Sequence, residues 1–166
     1  PSEVALLAIG PVDDTASIQE AQRRFPTVSL VVISESPSDE EAVAVMEAGA
    51  VGYLPRTVGP EMVTETVRAV ANGRYPIASW LLRPGVASEV LQAFREMERR
   101  EEPLGQYVAP LVSREESILS SIAANTGSTE GESVSEEMFR RSLVSIVRKV
   151  AANGHLNAET LRRRFS

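Results

Sequence analysis

The sequence of 166 residues contains no cysteine and a single histidine, His155. Without cysteine there is no disulfide framework, thiol nucleophile or thiolate metal site, and one histidine excludes a multi-histidine metal site. No apolar run approaches the roughly 20 residues that span a bilayer, and no basic-then-apolar signal segment opens the chain. No nucleophile with an adjacent base and no phosphate-cradling glycine loop is visible. We therefore expect a cytoplasmic protein that is not an enzyme and needs no metal, cofactor or membrane.

Acidic and basic residues are unevenly distributed along the chain, whose net charge is −6. Residues 1–112 contain nine Lys or Arg and 16 Asp or Glu, whereas residues 135–166 contain seven and three. An acidic part followed by a basic tail is typical of a regulatory segment joined to one that meets a polyanion, although a solvated helical surface gives the same pattern.

Three short apolar segments predict the strands of a parallel sheet. Leu30–Ile33 is a continuous apolar run, as expected for a strand covered by helices on both faces. Val4–Ile9 and Val51–Leu54 are the strands before and after it. In an open α/β sheet the carboxyl ends of the strands carry the site, and Ser34 and Arg56 follow two such ends.

Helices are predicted between and after these strands. Ser38 and Glu41 have the spacing of a capping box, and Gly49 closes the helix that they open. Two more helices are indicated by apolar side chains at helical spacing. The expected buried stripes are Ile18, Ala21 and Phe25 in the first, and Val63, Val67 and Val70, after Gly59-Pro60, in the second.

A strand that ends in the hydroxyl residue Ser34 is followed by a helix ending Glu47-Ala48-Gly49-Ala50 and then by Gly52-Tyr53-Leu54-Pro55-Arg56. This order resembles the second half of a receiver domain from the NarL/LuxR family of bacterial response regulators. The resemblance implies a flavodoxin-like parallel sheet within an α/β domain over residues 1–75. It also implies that Ser34 is the switch hydroxyl, Tyr53 the switch aromatic residue and Arg56 the phosphate-contacting basic residue, in place of the family's Lys.

Two features depart from the receiver pattern. The family's phospho-accepting aspartate falls on Ala8, whose methyl group cannot accept a phosphoryl group. The family's first strand, helix and strand, with the paired acids that hold Mg²⁺, do not precede Pro1, and Asp13 and Asp14 fall in a loop. Either the receiver is truncated or the natural chain has more residues at its N-terminus. The resemblance thus implies an atypical receiver that acts independently of aspartyl phosphorylation.

The rest of the chain reads as a linker followed by a helical domain. Apolar residues at helical spacing from Val86 to Met97 predict one amphipathic helix within a linker over residues 76–112. Residues 113–166 are expected to be all-helical. Ser113 and Glu116 have capping-box spacing before one helix, and a longer helix begins at Ser135. That helix buries Phe139, Leu143, Ile146 and Val150, and residues 157–165 form the last helix.

Leu111-Val112-Ser113-Arg114-Glu115, and the segment from Val134-Ser135-Glu136 through Val147-Arg148-Lys149-Val150, resemble a LuxR-type helix-turn-helix. The resemblance implies that Arg140 and Arg141 lie where the family contacts DNA, with Arg148 and Lys149 near the phosphate backbone. It implies double-stranded DNA as a partner and a homodimer on paired half-sites. Residues 125–133 are several residues shorter than the family's scaffold helix and turn.

The order of receiver, linker helix and helix-turn-helix predicts a DNA-binding transcriptional regulator of the response-regulator type. One alternative stays open, because a shortened helix-turn-helix can have lost its contact with DNA. The chain is then a regulatory module that binds another protein or a small-molecule effector. A shift of duplex DNA that depends on salt distinguishes the two.

Overall fold

The computed structural model describes residues 3–9, 15–99, 110–124 and 136–165. In these ranges an α/β part comes first and helices follow it, as the sequence predicts. The elements are β1 (Glu3–Ile9), α1 (Thr15–Arg24), β2 (Val28–Ser34), α2 (Asp39–Glu47), β3 (Gly52–Pro55), α3 (Pro60–Ala71), a 3-10 helix (Pro76–Leu82), α4 (Pro84–Arg99), α5 (Ser113–Ala123) and α6 (Glu136–Phe165).

The three strands form one parallel sheet in the order β1, β2, β3. β2 is central, and its residues Leu30, Val31 and Val32 are buried because helices cover both faces. The register pairs Ile9 with Ser34 and Ser34 with Pro55, so the carboxyl ends of the three strands lie side by side at the same end of the sheet. The predicted α/β fold with a parallel sheet is confirmed.

The local signals at both ends of α2 act as the sequence predicts. Ser38 Oγ accepts a hydrogen bond from the backbone N–H of Glu41 at 3.1 Å, which satisfies one of the free donors in the first turn. Gly49 follows the helix with φ 101°, a left-handed conformation that glycine adopts without steric cost. The Glu41 carboxylate, however, accepts hydrogen bonds from Ser34 in β2 and Tyr53 in β3.

Two details of the helices differ from prediction. Phe25 follows the last residue of α1 and is exposed, so the buried side of α1 depends on Ile18 instead. α5 begins one residue earlier than its capping pattern suggests. Val112 occupies the N-cap position, and its backbone N–H donates to Glu115 Oε1 at 2.9 Å, so Glu115 takes the part predicted for Glu116.

Every described helix except α3 shares one continuous set of buried apolar side chains with the sheet. α4 packs against α2 and α5, and α6 packs against α2, α5 and the 3-10 helix. The buried apolar residues of the later helices are Val86, Ala87, Val90, Leu91 and Phe94 in α4, Ile118 and Leu119 in α5, and Leu143, Ile146, Val147 and Val150 in α6. The division of the chain at residues 75 and 112 stays a prediction.

The helix expected from Ser135 to Val150 and the separate last helix expected over 157–165 form one helix, α6. Gly154 lies inside it, where glycine costs about 1 kcal/mol relative to alanine but does not by itself break a helix. Pro103 and Gly105 predict a hinge over residues 103–112, of which 103–109 lie outside the described residues. The shortened segment 125–133, and Asp13 and Asp14, also lie outside them. None of the described helices is both long and apolar enough to cross a membrane.

Candidate functional site

Two of the predicted switch residues meet on one carboxylate. Ser34 ends β2 and is fully buried, and its hydroxyl donates to Glu41 Oε1. Tyr53 in β3 donates from its phenolic oxygen to the same Glu41 Oε1 at 2.5 Å. Hydrogen bonds to an ionised acceptor are roughly twice as strong as neutral ones. Glu41 therefore ties α2 to the carboxyl end of β2 and to Tyr53 in β3.

The Tyr53 side chain is fixed from several directions. Its phenolic oxygen also accepts a hydrogen bond from the Ser38 N–H at 3.3 Å, and its ring centroid lies 4.7 Å from that of Trp80. Trp80 Nε1 in turn donates to the Tyr53 backbone oxygen at 3.1 Å. Burial raises the pKa of the Tyr53 phenol well above its ordinary value, and the Glu41 hydrogen bond adds to that shift. Tyr53 thus stays a neutral hydrogen-bond donor.

The other two receiver positions lie apart from this carboxylate. Ala8 is exposed near the end of β1 and pairs with Ile33 in β2. The Arg56 N–H donates to the Ser34 backbone oxygen at 2.8 Å, whereas its guanidinium group forms an exposed ion pair with Glu35. Nowhere in the described ranges do three His, Cys, Asp or Glu side chains cluster so that they could hold a metal ion.

Sequence reasoning missed the central role of Glu41. It identified Glu41 only as the last member of a capping box with Ser38. One signal could have indicated more, because the carboxyl end of β2 faces the first turn of α2 in this kind of sheet. A carboxylate in that turn can reach hydroxyl groups at the strand ends.

A second polar cluster joins α5 and α6. Glu115 is buried, and Lys149 Nζ lies 2.5 Å from its Oε1. Burial alone raises the pKa of the Glu115 carboxyl. Hydrogen bonds from Lys149, from Ser145 and from the Val112 N–H, together with the Lys149 charge, outweigh burial and hold that pKa below its usual value. Glu115 is therefore ionised at neutral pH, and its contact with Lys149 fixes α6 on α5.

The four predicted DNA contacts fall into two groups on α6. Arg140 and Arg141 have side chains 75% and 77% exposed, and each pairs with a glutamate four residues earlier, Glu136 and Glu137. Arg148 and Lys149 are held by the body of the molecule. Lys149 binds Glu115, and Arg148 Nε donates to the Tyr75 hydroxyl at 3.3 Å with its guanidinium carbon 5.2 Å from the centre of the ring.

Comparison with known proteins finds similarity to regulatory proteins of bacteria. No family model matches the chain. The chain is 29% identical over 134 residues to response regulator UvrY of Escherichia coli strain K12 and equally to that of Shigella flexneri, covering 81% of this chain and 53% of each relative. It is 24% identical over 124 residues to the uncharacterized transcriptional regulatory protein YhcZ of Bacillus subtilis strain 168, covering 75% and 54%. The chain spans about half the length of these curated relatives.

Proposed function

We propose that this chain is a transcriptional regulator that binds double-stranded DNA through α6, as a homodimer, without a need for aspartyl phosphorylation. The observation that carries the proposal is the contrast between buried apolar residues and exposed arginines in α6. Leu143, Ile146 and Val150 are buried against the body of the molecule, whereas the side chains of Arg140 and Arg141 lie in solvent.

Exposed arginines on a helix can bind phosphates or the guanine edge in the major groove. Arg140 and Arg141 are paired with Glu136 and Glu137, but exposed pairs of this spacing are worth only about 0.3–0.5 kcal/mol. A single bidentate contact with guanine contributes about 1–3 kcal/mol of discrimination. DNA can therefore replace the glutamate partners at little cost.

The strand ends support regulation without a phosphoryl group. Ala8 offers no carboxylate at the position of the acceptor in the receiver pattern. The hydroxyls of Ser34 and Tyr53 both donate to Glu41. Unlike a phosphoryl group, this side chain does not have to be added to the protein. A permanent carboxylate thus fixes the two side chains that the receiver pattern assigns to the switch.

The alternative function is a regulatory module that binds another protein or a small ligand and has lost its contact with DNA. One observation favours it. Arg148 and Lys149, which the helix-turn-helix pattern places near the phosphate backbone, are both engaged by residues of the same chain, Tyr75 and Glu115.

Binding to promoter fragments tests the proposal directly. Fluorescence anisotropy with labelled duplex DNA is measured at several salt concentrations, because affinity for DNA falls linearly with salt on logarithmic axes. We expect binding that weakens with salt and is lost when Arg140 and Arg141 are both replaced by Ala. Binding that is undetectable at low salt, or unchanged in the double variant, refutes the DNA-binding function and favours the alternative.

Incubation with acetyl phosphate tests the second part of the proposal. We expect no stable gain of one phosphoryl group by intact-mass measurement, because a methyl group stands at position 8. A phosphoryl group that maps to residues 1–75 would contradict phosphorylation independence without affecting the proposal of DNA binding.

A further inference from the structure

A cleft of about 700 Å³ lies between the end of α3, the 3-10 helix and α6. Its volume falls within the range of small-molecule sites, which is about 300–1,000 Å³. The apolar side chains that line it are Ala69, Pro76, Ala78, Leu82, Phe139, Leu143 and Val144. The polar and charged residues of the lining are Arg74, Tyr75, Ser79, Glu136, Arg140 and Arg148.

The charged groups of this cleft are mostly positive. Arg74, Arg140 and Arg148 line it together with a single carboxylate, Glu136. Glu136 pairs with Arg140 at 3.2 Å, which leaves two further guanidinium groups. Within the part of the chain that the structure describes, Arg74 has no acidic partner.

A turn places Arg74 in the lining of the cleft, and the Tyr75 ring fixes Arg148 before any ligand arrives. Gly73 ends α3 with φ 81°, a backbone conformation that residues other than glycine rarely adopt. Arg74 and Tyr75 follow this turn and line the cleft. Arg148 stacks over the Tyr75 ring and donates to its hydroxyl. A guanidinium group held in this way loses little conformational freedom when it binds an anion.

We propose that the cleft binds a small amphipathic anion, with an apolar body on Leu82, Phe139 and Val144 and a carboxylate head at Arg74 and Arg148. Guanidinium groups bind carboxylates through paired hydrogen bonds, and the apolar wall favours a hydrocarbon or aromatic body over a bare anion. Arg140 and Arg148 line the cleft and are also predicted DNA contacts, so the bound anion opposes DNA binding. This regulatory step rests on the proposed function; the binding step does not.

Isothermal titration calorimetry with decanoate tests the binding step. Decyltrimethylammonium, which also has a straight chain of ten carbons but carries a cation, and inorganic phosphate, a bare anion, serve as comparison probes below micelle-forming concentrations. We expect decanoate to bind with a stoichiometry of one and each comparison probe to bind at least tenfold more weakly. No measurable binding of decanoate, or equal affinity for either comparison probe, overturns the proposal.

Variants then locate the site. Arg74→Ala should weaken decanoate binding about tenfold, because it removes a charge-assisted contact, and Leu82→Glu should weaken it similarly by placing a like charge on the apolar wall. Arg68→Ala is the matched control, since Arg68 is exposed on α3 and does not line the cleft. Equal binding by the Arg74→Ala and Arg68→Ala variants places the ligand elsewhere and overturns the proposal.

Promoter DNA separates this inference from the proposed function. If the protein binds both ligands, decanoate should lower its affinity for DNA at least threefold, and the Arg74→Ala variant should resist that change. Decanoate binding without DNA binding leaves the cleft assignment intact and contradicts the proposed function. DNA binding without decanoate binding supports the proposed function and overturns the cleft assignment.

Discussion

Lys149 Nζ lies 2.5 Å from Glu115 Oε1, and this contact joins α6 to the first turn of α5. The Glu115 side chain is only 4% exposed and that of Lys149 is 21% exposed. Removal of one partner from a buried ion pair leaves a charge without compensation, which is more costly than the net worth of the pair itself. The contact therefore determines how firmly α6 packs on the rest of the molecule.

Replacement of Lys149 by Ala should lower the free energy of unfolding by about 3 kcal/mol, because Glu115 then stays buried without its cation. Urea denaturation monitored by circular dichroism measures the change. Arg148→Ala is the matched control, since Arg148 is the adjacent residue and its side chain is exposed. This control variant should lose less than about 1 kcal/mol of unfolding free energy. Equal losses in the two variants would show that the pair does not stabilise the fold.

The same pair predicts a loss of stability in acid. The pKa of Glu115 is lower in the folded protein than its ordinary value of 4.5, so the unfolded chain binds more protons in acid. The contribution of Glu115 is complete above pH 4.5 and is lost as the pH falls through the folded pKa. Stability measured between pH 7 and pH 3 should therefore fall less steeply in Glu115→Gln than in the natural chain.

Glu47 and Glu89 act in the opposite direction. Burial raises the pKa of both carboxyls, and the charge of Glu89 adds to the shift at Glu47. Each of them binds its proton more tightly in the folded protein, so each favours folding as the pH falls. Because both are present in the natural chain and in Glu115→Gln, the comparison isolates Glu115. Parallel stability curves for the two proteins would contradict the assignment.

The carboxylate shared by Ser34 and Tyr53 gives a third prediction. Glu41→Ala removes the acceptor of two hydroxyl groups, of which that of Ser34 is fully buried, and should lower the free energy of unfolding by about 2–3 kcal/mol. Glu41→Gln should cost less, because the amide oxygen still accepts hydrogen bonds. Thermal unfolding of both variants measures the difference. A Glu41→Gln variant as unstable as Glu41→Ala would indicate that the charge, and not the acceptor, stabilises the cluster.

Local sequence patterns predicted most of the α/β part because the decisive forces there are local. The apolar run Leu30–Ile33 marked the central strand, and Ser38 and Gly49 marked the ends of α2. The prediction that Phe25 is buried in α1 was wrong, and the reason is also local. Its spacing fits the stripe of α1, but the helix ends at Arg24, so the side chain leaves the buried face.

Contacts between distant segments could not be read in the same way. Lys149 and Glu115 are 34 positions apart, and no periodicity in either helix indicates that they pair. The same holds for Arg148 and Tyr75, which are 73 positions apart. The resemblance to a helix-turn-helix placed Arg148 and Lys149 near DNA by their position in a helix. The packing of α6 on α5 and the 3-10 helix instead decides which side chains remain in solvent.

The edge of the sheet predicts self-association. In the described sheet β1 is an edge strand, and Leu6 within it is 49% exposed. Edges with exposed apolar side chains are normally covered or paired. We expect a dimer by sedimentation velocity at high micromolar concentration, and Leu6→Lys should shift the protein to monomer. Leu82→Lys, at a position 50% exposed in the 3-10 helix, is the matched control and should remain dimeric.

A further prediction concerns which arginines of α6 contact base edges and which contact phosphates when the helix binds DNA. Arg140→Ala and Arg141→Ala should each cost about 1–3 kcal/mol, chiefly on the preferred site, because exposed guanidinium groups near the start of the helix can reach base edges. Arg148→Ala should weaken binding about equally on all sequences and lower the salt slope by roughly one unit. Anisotropy titrations on specific and random duplexes, repeated at several salt concentrations, separate these two effects.

Lys149 gives the sharpest test of whether α6 binds DNA while docked as the structure shows. If Lys149 stays bound to Glu115, then Lys149→Ala reduces stability but leaves the salt slope of DNA binding unchanged, unlike Arg148→Ala. If both variants lower the slope by about one unit, Lys149 has exchanged Glu115 for a phosphate, and α6 has left α5 on binding. The Glu115→Gln variant should then bind DNA more tightly than the natural chain, because Lys149 no longer has to abandon a buried carboxylate.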